Sequence, residues 1–353
     1  MPRDIRRRTF IRSGAIAGTA LLAGCGGGDG GDGGDGGADT ETGTGTTGGD
    51  GGTTDTTSTT ESSEPPSVGL SVPSLEFTFF ARMQNAFNQA KSDGMIAQSS
   101  TFYDAGNSQS TQVSNVETAI SNDIDFLLIS AITAEGVINA IRQANEAGIP
   151  VIAIDRNVAE GETVTYVASD NVQLGQRSTE LCLQFMQDAG SQDTYNVVQL
   201  EGTPGASVTN DRGEGFSNAV SENDGLTRLA SQTGEFSTQN ALNVMEDFLT
   251  QYGDQIDGVF CQNDLMALGA HQALRNANRS IPVTGIDGTE AWVQLFSDNQ
   301  YYGTVAQLPE EMVTTAIESG IAYLNDESVE DTIVIEGLEV TQDNASDYLN
   351  QYF

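Results

Sequence analysis

Basic side chains are what this sequence lacks first. Its 353 residues hold 14 lysines and arginines against 50 aspartates and glutamates, a net charge of −36, and Lys91 is the only lysine. A chain so poor in cations has nowhere to gather phosphates, which excludes nucleic acid as a partner. The single histidine, His271, sits in a helical run before Gln272, Ala273, Leu274 and Arg275. There it reads as a surface or packing residue, and it leaves no set of metal ligands to assemble. The three cysteines, Cys25, Cys182 and Cys261, are too few for a disulfide framework. Cys182 falls in a helical pattern and Cys261 in an apolar run, so both read as inert core thiols. No Gly-x-x-x-x-Gly-Lys-Ser/Thr loop and no Gly-x-Ser-x-Gly turn occurs, so neither ATP hydrolysis nor a serine hydrolase is written here. Nothing calls for a cofactor.

What is present begins with an export signal. Arg6, Arg7 and Arg8 precede Thr9-Phe10-Ile11-Arg12, and an apolar stretch from Ala15 to Ala23 runs into Leu22-Ala23-Gly24-Cys25. The apolar core is too short to span a bilayer. Arg-Arg-x-Phe-Ile resembles the twin-arginine export motif and Leu-Ala-Gly-Cys the lipobox, which implies cleavage before Cys25 and a lipid on its thiol. Cleavage there leaves 9 basic and 49 acidic residues, a net charge of −40. Residues 26–66 are Gly, Asp, Thr, Ser and Glu, with Ala38 and a closing Pro65-Pro66 as the exceptions and no Val, Leu, Ile or Met. With nothing to bury, they read as a disordered tether holding a soluble domain at the outer face of a membrane.

From Ser67 onward the pattern becomes regular. Gly258 to Ala270 reads as a buried strand (Val259, Phe260, Cys261) that ends on Gln262 and Asn263 and turns at once into a helix, with Asp264 as its N-cap. The same grammar places Ser130 after Asp125-Phe-Leu-Leu-Ile, Asp155-Arg156 after Val151-Ile-Ala-Ile and Asp287 after Val283-Thr-Gly-Ile. Four strands thus deliver polar groups to one carboxyl edge, where open α/β sheets bind ligands. Strands alternating with helices in this way argue for α/β structure with doubly wound parallel sheets. A length of about 285 foldable residues favours two lobes. Trp292, at a helix start after Asp287-Gly288-Thr289, stands where it would close one end of a pocket.

The motifs Ile-Asp155-Arg156, Ala168-Ser169-Asp170-Asn171, Asp211-Arg212-Gly213-Glu214-Gly215-Phe216, Gln262-Asn263-Asp264, Gly285-Ile-Asp287-Gly-Thr289 and Ala306-Gln307-Leu308-Pro309 are collinear. In order and spacing they resemble the ribose-binding-protein family, the type I periplasmic-binding-protein-like sugar receptors of ABC importers, from about Ser67 to Thr341. The resemblance implies two similar α/β lobes joined by three chain crossings, near Ser169-Asp170, Gln307-Leu308 and Glu336-Gly337, with the ligand cleft between them. It assigns residues 67–169 and 308–336 to one lobe, and 170–307 and 337–353 to the other.

The site it implies suits a sugar. Asp155, Arg156, Arg212, Asn263, Asp287 and Gln307 offer charge-assisted bonds to hydroxyls in the ring plane. Phe79, Phe80 and Phe236 cover the apolar C–H faces. The sequence departs from the family pattern at Phe77 and Ser130, which stand where the ribose binders carry asparagines, and at Pro73-Ser74, which alters the start of the first loop. Ribose, another pentose, a hexose and a nucleoside therefore remain open. The implied function is a monomeric, lipid-anchored receptor that is not an enzyme and passes a monosaccharide to a membrane permease with its ATPase subunits. A receptor for a sugar-like signalling molecule is the alternative. A repressor is excluded by the export signal.

The acid excess, with lysine almost absent, looks like the surface of a protein from a very salty environment, where a short Debye length screens self-repulsion. Transfer from molar salt to dilute buffer is expected to lower the unfolding midpoint by several degrees; a midpoint indifferent to salt in a thermal scan would remove the halophilic reading.

Overall fold

The computed structural model describes residues 64–353; the export signal, Cys25 and the tether as far as residue 63 lie outside the described residues. In chain order the first lobe runs β1 (Val68–Val72), α1 (Thr78–Ser92), β2 (Thr101–Asp104), α2 (Gln109–Ser121), β3 (Phe126–Ile129), α3 (Ile138–Glu146), β4 (Val151–Ile154) and β5 (Tyr166–Ala168). The second runs α4 (Asn171–Ala189), β6 (Tyr195–Glu201), α5 (Ser207–Glu222), β7 (Leu226–Thr233), α6 (Thr238–Tyr252), β8 (Gly258–Cys261), α7 (Asp264–Asn276), β9 (Val283–Asp287), α8 (Glu290–Val293) and β10 (Tyr302–Ala306). The chain then returns through α9 (Pro309–Leu324) and β11 (Thr332–Val334) and ends with β12 (Leu338–Val340) and α10 (Ala345–Tyr352).

These strands form two six-stranded sheets, ordered β11-β5-β4-β3-β1-β2 and β12-β10-β9-β8-β6-β7. The first is parallel throughout. The second has one antiparallel edge strand, β12 beside β10, which departs from the all-parallel expectation. The cause is the crossing: β11 runs toward the cleft at the carboxyl edge of the first sheet, and after only Ile335-Glu336-Gly337 the chain enters the second sheet from its own carboxyl edge, so β12 runs against β10. The central strands β3, β4, β8 and β9 are buried along their whole length, as apolar runs covered on both faces must be. The chain passes between sheets three times, from β5 to α4, from β10 to α9 and from β11 to β12.

Two details set the site. Helices α4 and α5 touch backbone to backbone: a Cβ on Gly215 would lie 2.0 Å from the Val172 carbonyl oxygen, and one on Gly175 would lie 2.3 Å from the Arg212 carbonyl oxygen. This contact brings Asn171 against Arg212 across the two helices. The second detail corrects an expectation. Asn263, not Asp264, caps α7, its Oδ1 accepting from the Met266 N–H at 2.9 Å. Asp264 is wholly buried instead and accepts from the Thr289 N–H (2.6 Å) and the Thr304 hydroxyl (2.7 Å), holding the turn that follows Asp287. Burial, with the nearby charge of Asp287, keeps its carboxyl well above the usual range.

At Gly215 helix propensity alone favours alanine by about 1 kcal/mol, but the Val172 carbonyl occupies the place of the new methyl group. Gly215→Ala is therefore expected to destabilise by about 1–3 kcal/mol through overpacking, read as a lower denaturant midpoint. A stabilised variant would show that the two helices part freely.

Candidate functional site

The carboxyl ends of the central strands of both sheets face each other across the gap between the lobes. Asp155 and Arg156 follow β4, Asn263 lies two residues beyond β8, Asp287 ends β9 and Gln307 follows β10. Phe77, Phe79 and Phe80 come from the start of α1, Arg212 from α5, and Phe236 from the link between β7 and α6. The nine residues the resemblance singles out, together with Phe77 and Val208, line one cavity of at most about 290 Å³. Direct hydrogen bonds also bridge the lobes beside it: the Asn157 N–H donates to Ser207 Oγ at 2.9 Å and the Ala134 N–H to the Gly205 carbonyl at 3.0 Å.

Among the four charged residues, exposure is 3% for Asp155, 4% for Arg156, 3% for Arg212 and 7% for Asp287. They are neighbours without being locked together. Arg156 Nε lies 3.7 Å from Asp155 Oδ2, and Arg212 Nη1 lies 3.6 Å from Asp287 Oδ1. Arg212 is fixed from behind, donating from Nε to Asn171 Oδ1 (2.8 Å) and from Nη1 to the Gln262 carbonyl (2.6 Å). Gln307 Nε2 donates to Asp287 Oδ1 at 2.9 Å. Ser130 Oγ donates to Asp155 Oδ2 at 3.1 Å, and the Tyr166 hydroxyl to the Asp155 carbonyl at 2.7 Å. Arg156 Nε and Gln307 Oε1 are buried with no hydrogen-bond partner among the described residues. With Asn263 Oδ1 engaged by Met266, its NH2 group is what remains for a ligand.

Burial dominates the electrostatics. It raises the Asp155 carboxyl against the pull of Arg156 and Arg212, lowers the Arg156 guanidinium to about 10, and pushes Asp287 up to about 6 against Arg212 and Gln307. The aromatic wall packs on these groups. The Arg156 guanidinium lies 5.5 Å from the Phe80 ring centroid and 5.1 Å from that of Phe236, and Arg212 lies 5.9 Å from Phe236.

Three of the lining residues hold left-handed backbone, Asp155 at φ 61°, Phe236 at φ 57° and Asp287 at φ 117°. Each costs about 1–3 kcal/mol, and such strain gathers where side chains must be aimed. Phe236 is a bulky residue in a region its type rarely visits. Gly202 makes room for its ring: a Cβ there would fall 2.0 Å from Phe236 Cζ.

Other expected residues lie elsewhere. Trp292 does not close the pocket; it is wholly buried, stacked on Tyr302 at 4.8 Å with its indole N–H donating to the Gly303 carbonyl, because α8 faces the core of its own lobe. Ser74 Oγ accepts from the Glu76 N–H in the loop before α1, and Ser130 reaches the cleft only through Asp155. Gln262 turns inward, its Oε1 accepting from Gly202 and its Nε2 donating to Thr209. Sequence reasoning missed Val208, although it stands four residues before Arg212 and so on the same face of a helix. It also missed the support of Tyr166, which carries no motif of its own, and, although Asn171 stands in one of the motifs, its role beside Arg212.

A cleft between two α/β lobes, lined from both sides by buried charges and aromatic rings, defines a two-lobed solute-binding protein. A family model described as a periplasmic binding protein domain matches residues 68–328, and the chain belongs to that family, among relatives of the ribose-binding type. The ribose import binding protein RbsB of Bacillus subtilis is 36% identical over 268 residues, covering 76% of this chain and 84% of that one. The xylitol-binding protein of Mycolicibacterium smegmatis is 29% identical over 241 residues, 68% of each chain. Among solved structures, the arabinose ABC transporter component of Shewanella sp. ANA-3, bound to α- and β-L-arabinofuranose, matches with a TM-score of 0.74 at 27% identity, over 81% of this chain and 95% of that one. Members of the family bind and deliver solutes and are not enzymes.

A carboxyl with a raised folded pKa contributes stability that is full below its unfolded value and lost as pH rises through the folded one. For Asp287 the window runs from about pH 4 to about 6. The difference in unfolding free energy between wild type and Asp287→Asn is expected to change by about 3 kcal/mol across it, in denaturant titrations at fixed molar salt. A difference constant with pH would refute the desolvated carboxylate.

Proposed function

We propose that this chain is an exported, lipid-anchored receptor that closes its two lobes on a monosaccharide and presents it to an ABC permease and its ATPase subunits. The observation that carries the reading is the convergence of Asp155, Arg156, Arg212, Asn263, Asp287 and Gln307 with Phe79, Phe80 and Phe236 on one small cavity. Carboxylates accept from sugar hydroxyls, guanidinium groups and amides donate to hydroxyl and ring oxygens, and aromatic rings cover C–H faces; each charge-assisted bond contributes about 1.5–3 kcal/mol. The names of the relatives, for ribose, xylitol and arabinofuranose, support the same class.

The residues split between the lobes as the transport role requires. Asp155, Arg156 and the α1 phenylalanines stand on one side; Arg212, Phe236, Asn263 and Asp287 on the other. A ligand touching both adds contacts that only the closed form has, and so shifts the population toward it. The closed form is what the permease reads. Cys25 would carry the lipid, and residues 26–66 would give the receptor its reach from the membrane surface.

A thermal-shift panel of pentoses, hexoses, polyols and nucleosides in molar salt tests the reading. At a concentration a hundred times its dissociation constant, the cognate sugar stabilises by about 2.7 kcal/mol and is recovered unaltered. Arg212→Ala is expected to weaken that sugar more than a hundredfold while the protein stays folded. Stabilisation by a nucleoside alone, or affinity unchanged within threefold in the variant, would overturn it.

A further inference from the structure

Four phenylalanines line the cavity, Phe77, Phe79, Phe80 and Phe236, two more than the two faces of a sugar require. Phe80 and Phe236 come from opposite lobes, and the Arg156 guanidinium already fills the space between them, so a ligand ring lies beside that stack. Phe77 spans the same two rings at another edge, its centroid 6.2 Å from Phe80 and 6.5 Å from Phe236, and it is 9% exposed. Val208, also in the lining, adds an aliphatic patch. The hydrogen bonds around the cavity run through Ser130, Asp155, Asn171, Arg212, Asp287 and Gln307, and the Phe77 side chain brings none. The part of the cavity wall made by Phe77 and Val208 therefore has neither donor nor acceptor. A hydroxyl placed there gives up its bonds to water and gains nothing, whereas a methylene or methyl group is received without cost.

We propose that Phe77 is a specificity-determining residue, selecting a monosaccharide that is deoxygenated where it meets this edge, a deoxy or methyl-bearing sugar, over its fully hydroxylated counterpart. The proposal rests on the reading of the cavity as a monosaccharide site and narrows it. The backbone permits a clean test. Phe77 is the N-cap residue of α1, with extended backbone (φ −84°, ψ 112°) and no side-chain capping bond. Asparagine is a preferred residue at that position, so Phe77→Asn puts an amide at the apolar edge without unseating the helix.

The experiment is isothermal titration of the protein in molar salt with matched pairs: D-ribose against 5-deoxy-D-ribose and 2-deoxy-D-ribose, L-galactose against L-fucose, and L-mannose against L-rhamnose. In at least one pair the deoxy sugar is expected to bind at least about tenfold more tightly, the scale on which an unpaired hydroxyl is rejected. Phe77→Asn should erase or invert that ratio, and Phe77→Leu, which keeps the wall apolar, should retain it. If the hydroxylated sugar binds as well or better in every pair, or Phe77→Asn leaves the ratio unchanged, the proposal falls while the receptor reading stands. If no sugar of any pair binds, the proposal falls, and the receptor reading falls with it only when the wider panel of pentoses, hexoses and polyols is silent as well.

Discussion

Two carboxylates and two guanidinium groups are held almost dry between the lobes, and the rest of the molecule is arranged around that fact. Each ion costs several kcal/mol to desolvate, and mutual attraction repays this only when the remaining donors and acceptors are satisfied. Here they are not all satisfied by the protein. The Asp155–Arg156 and Asp287–Arg212 separations of 3.7 and 3.6 Å are those of neighbours rather than of forked pairs. Arg156 Nε and Gln307 Oε1 are buried without a hydrogen-bond partner among the described residues. A protein core built only for stability would replace such groups with apolar ones. On the receptor reading proposed above, the missing bonds are those a ligand would supply.

Holding those groups apart takes a rigid frame. Parallel sheets end their strands on one edge, so Asp155, Asn263, Asp287 and Gln307 inherit their places from β4, β8, β9 and β10. The left-handed backbone at Asp155 and Asp287 then re-aims each carboxylate as the strand gives way to loop. The turn after Asp287 is pinned from beneath by Asp264 through Thr289 and Thr304. Arg212 is placed by the close approach of α4 and α5, which two glycines allow. The strain is local and the support is distributed, which is how sparsely populated backbone conformations persist.

The strand ends were legible in the chain because apolar runs of strand length stop abruptly at polar residues, and the doubly wound lobes follow from that pattern. The ring of charges and phenylalanines was legible only through the family resemblance that the motifs carry. What could not be read were side-chain directions at equal distance along the chain. Asn263 and Asp264 are adjacent and both suit an N-cap, and only the packing of Thr289 and Thr304 against the second draws it into the core. Trp292 follows a site residue closely in sequence yet faces Tyr302 and Phe296, because the short α8 sets its direction. The antiparallel β12 followed from the chain entering the second sheet from the cleft rather than from any propensity.

The division of charges between the lobes bears on how closure becomes a signal. One lobe brings Asp155 with Arg156, the other Asp287 with Arg212, so each half of the site is electrically balanced on its own. In the open form that the proposed closure requires, both halves would sit in water and pay no such desolvation cost. Held together as here, they are cut off from water, and burial raises both carboxyls and lowers the Arg156 guanidinium. The direct bridges at Asn157–Ser207 and Ala134–Gly205 offset only part of that cost, since a hydrogen bond contributes about 0.5–1.5 kcal/mol net. A ligand that supplies hydroxyls to both halves replaces the lost water without separating the lobes. On the receptor reading proposed above, the closed state would follow ligand occupancy because its own charges oppose it otherwise, and the same desolvation that selects the ligand would make closure report its presence.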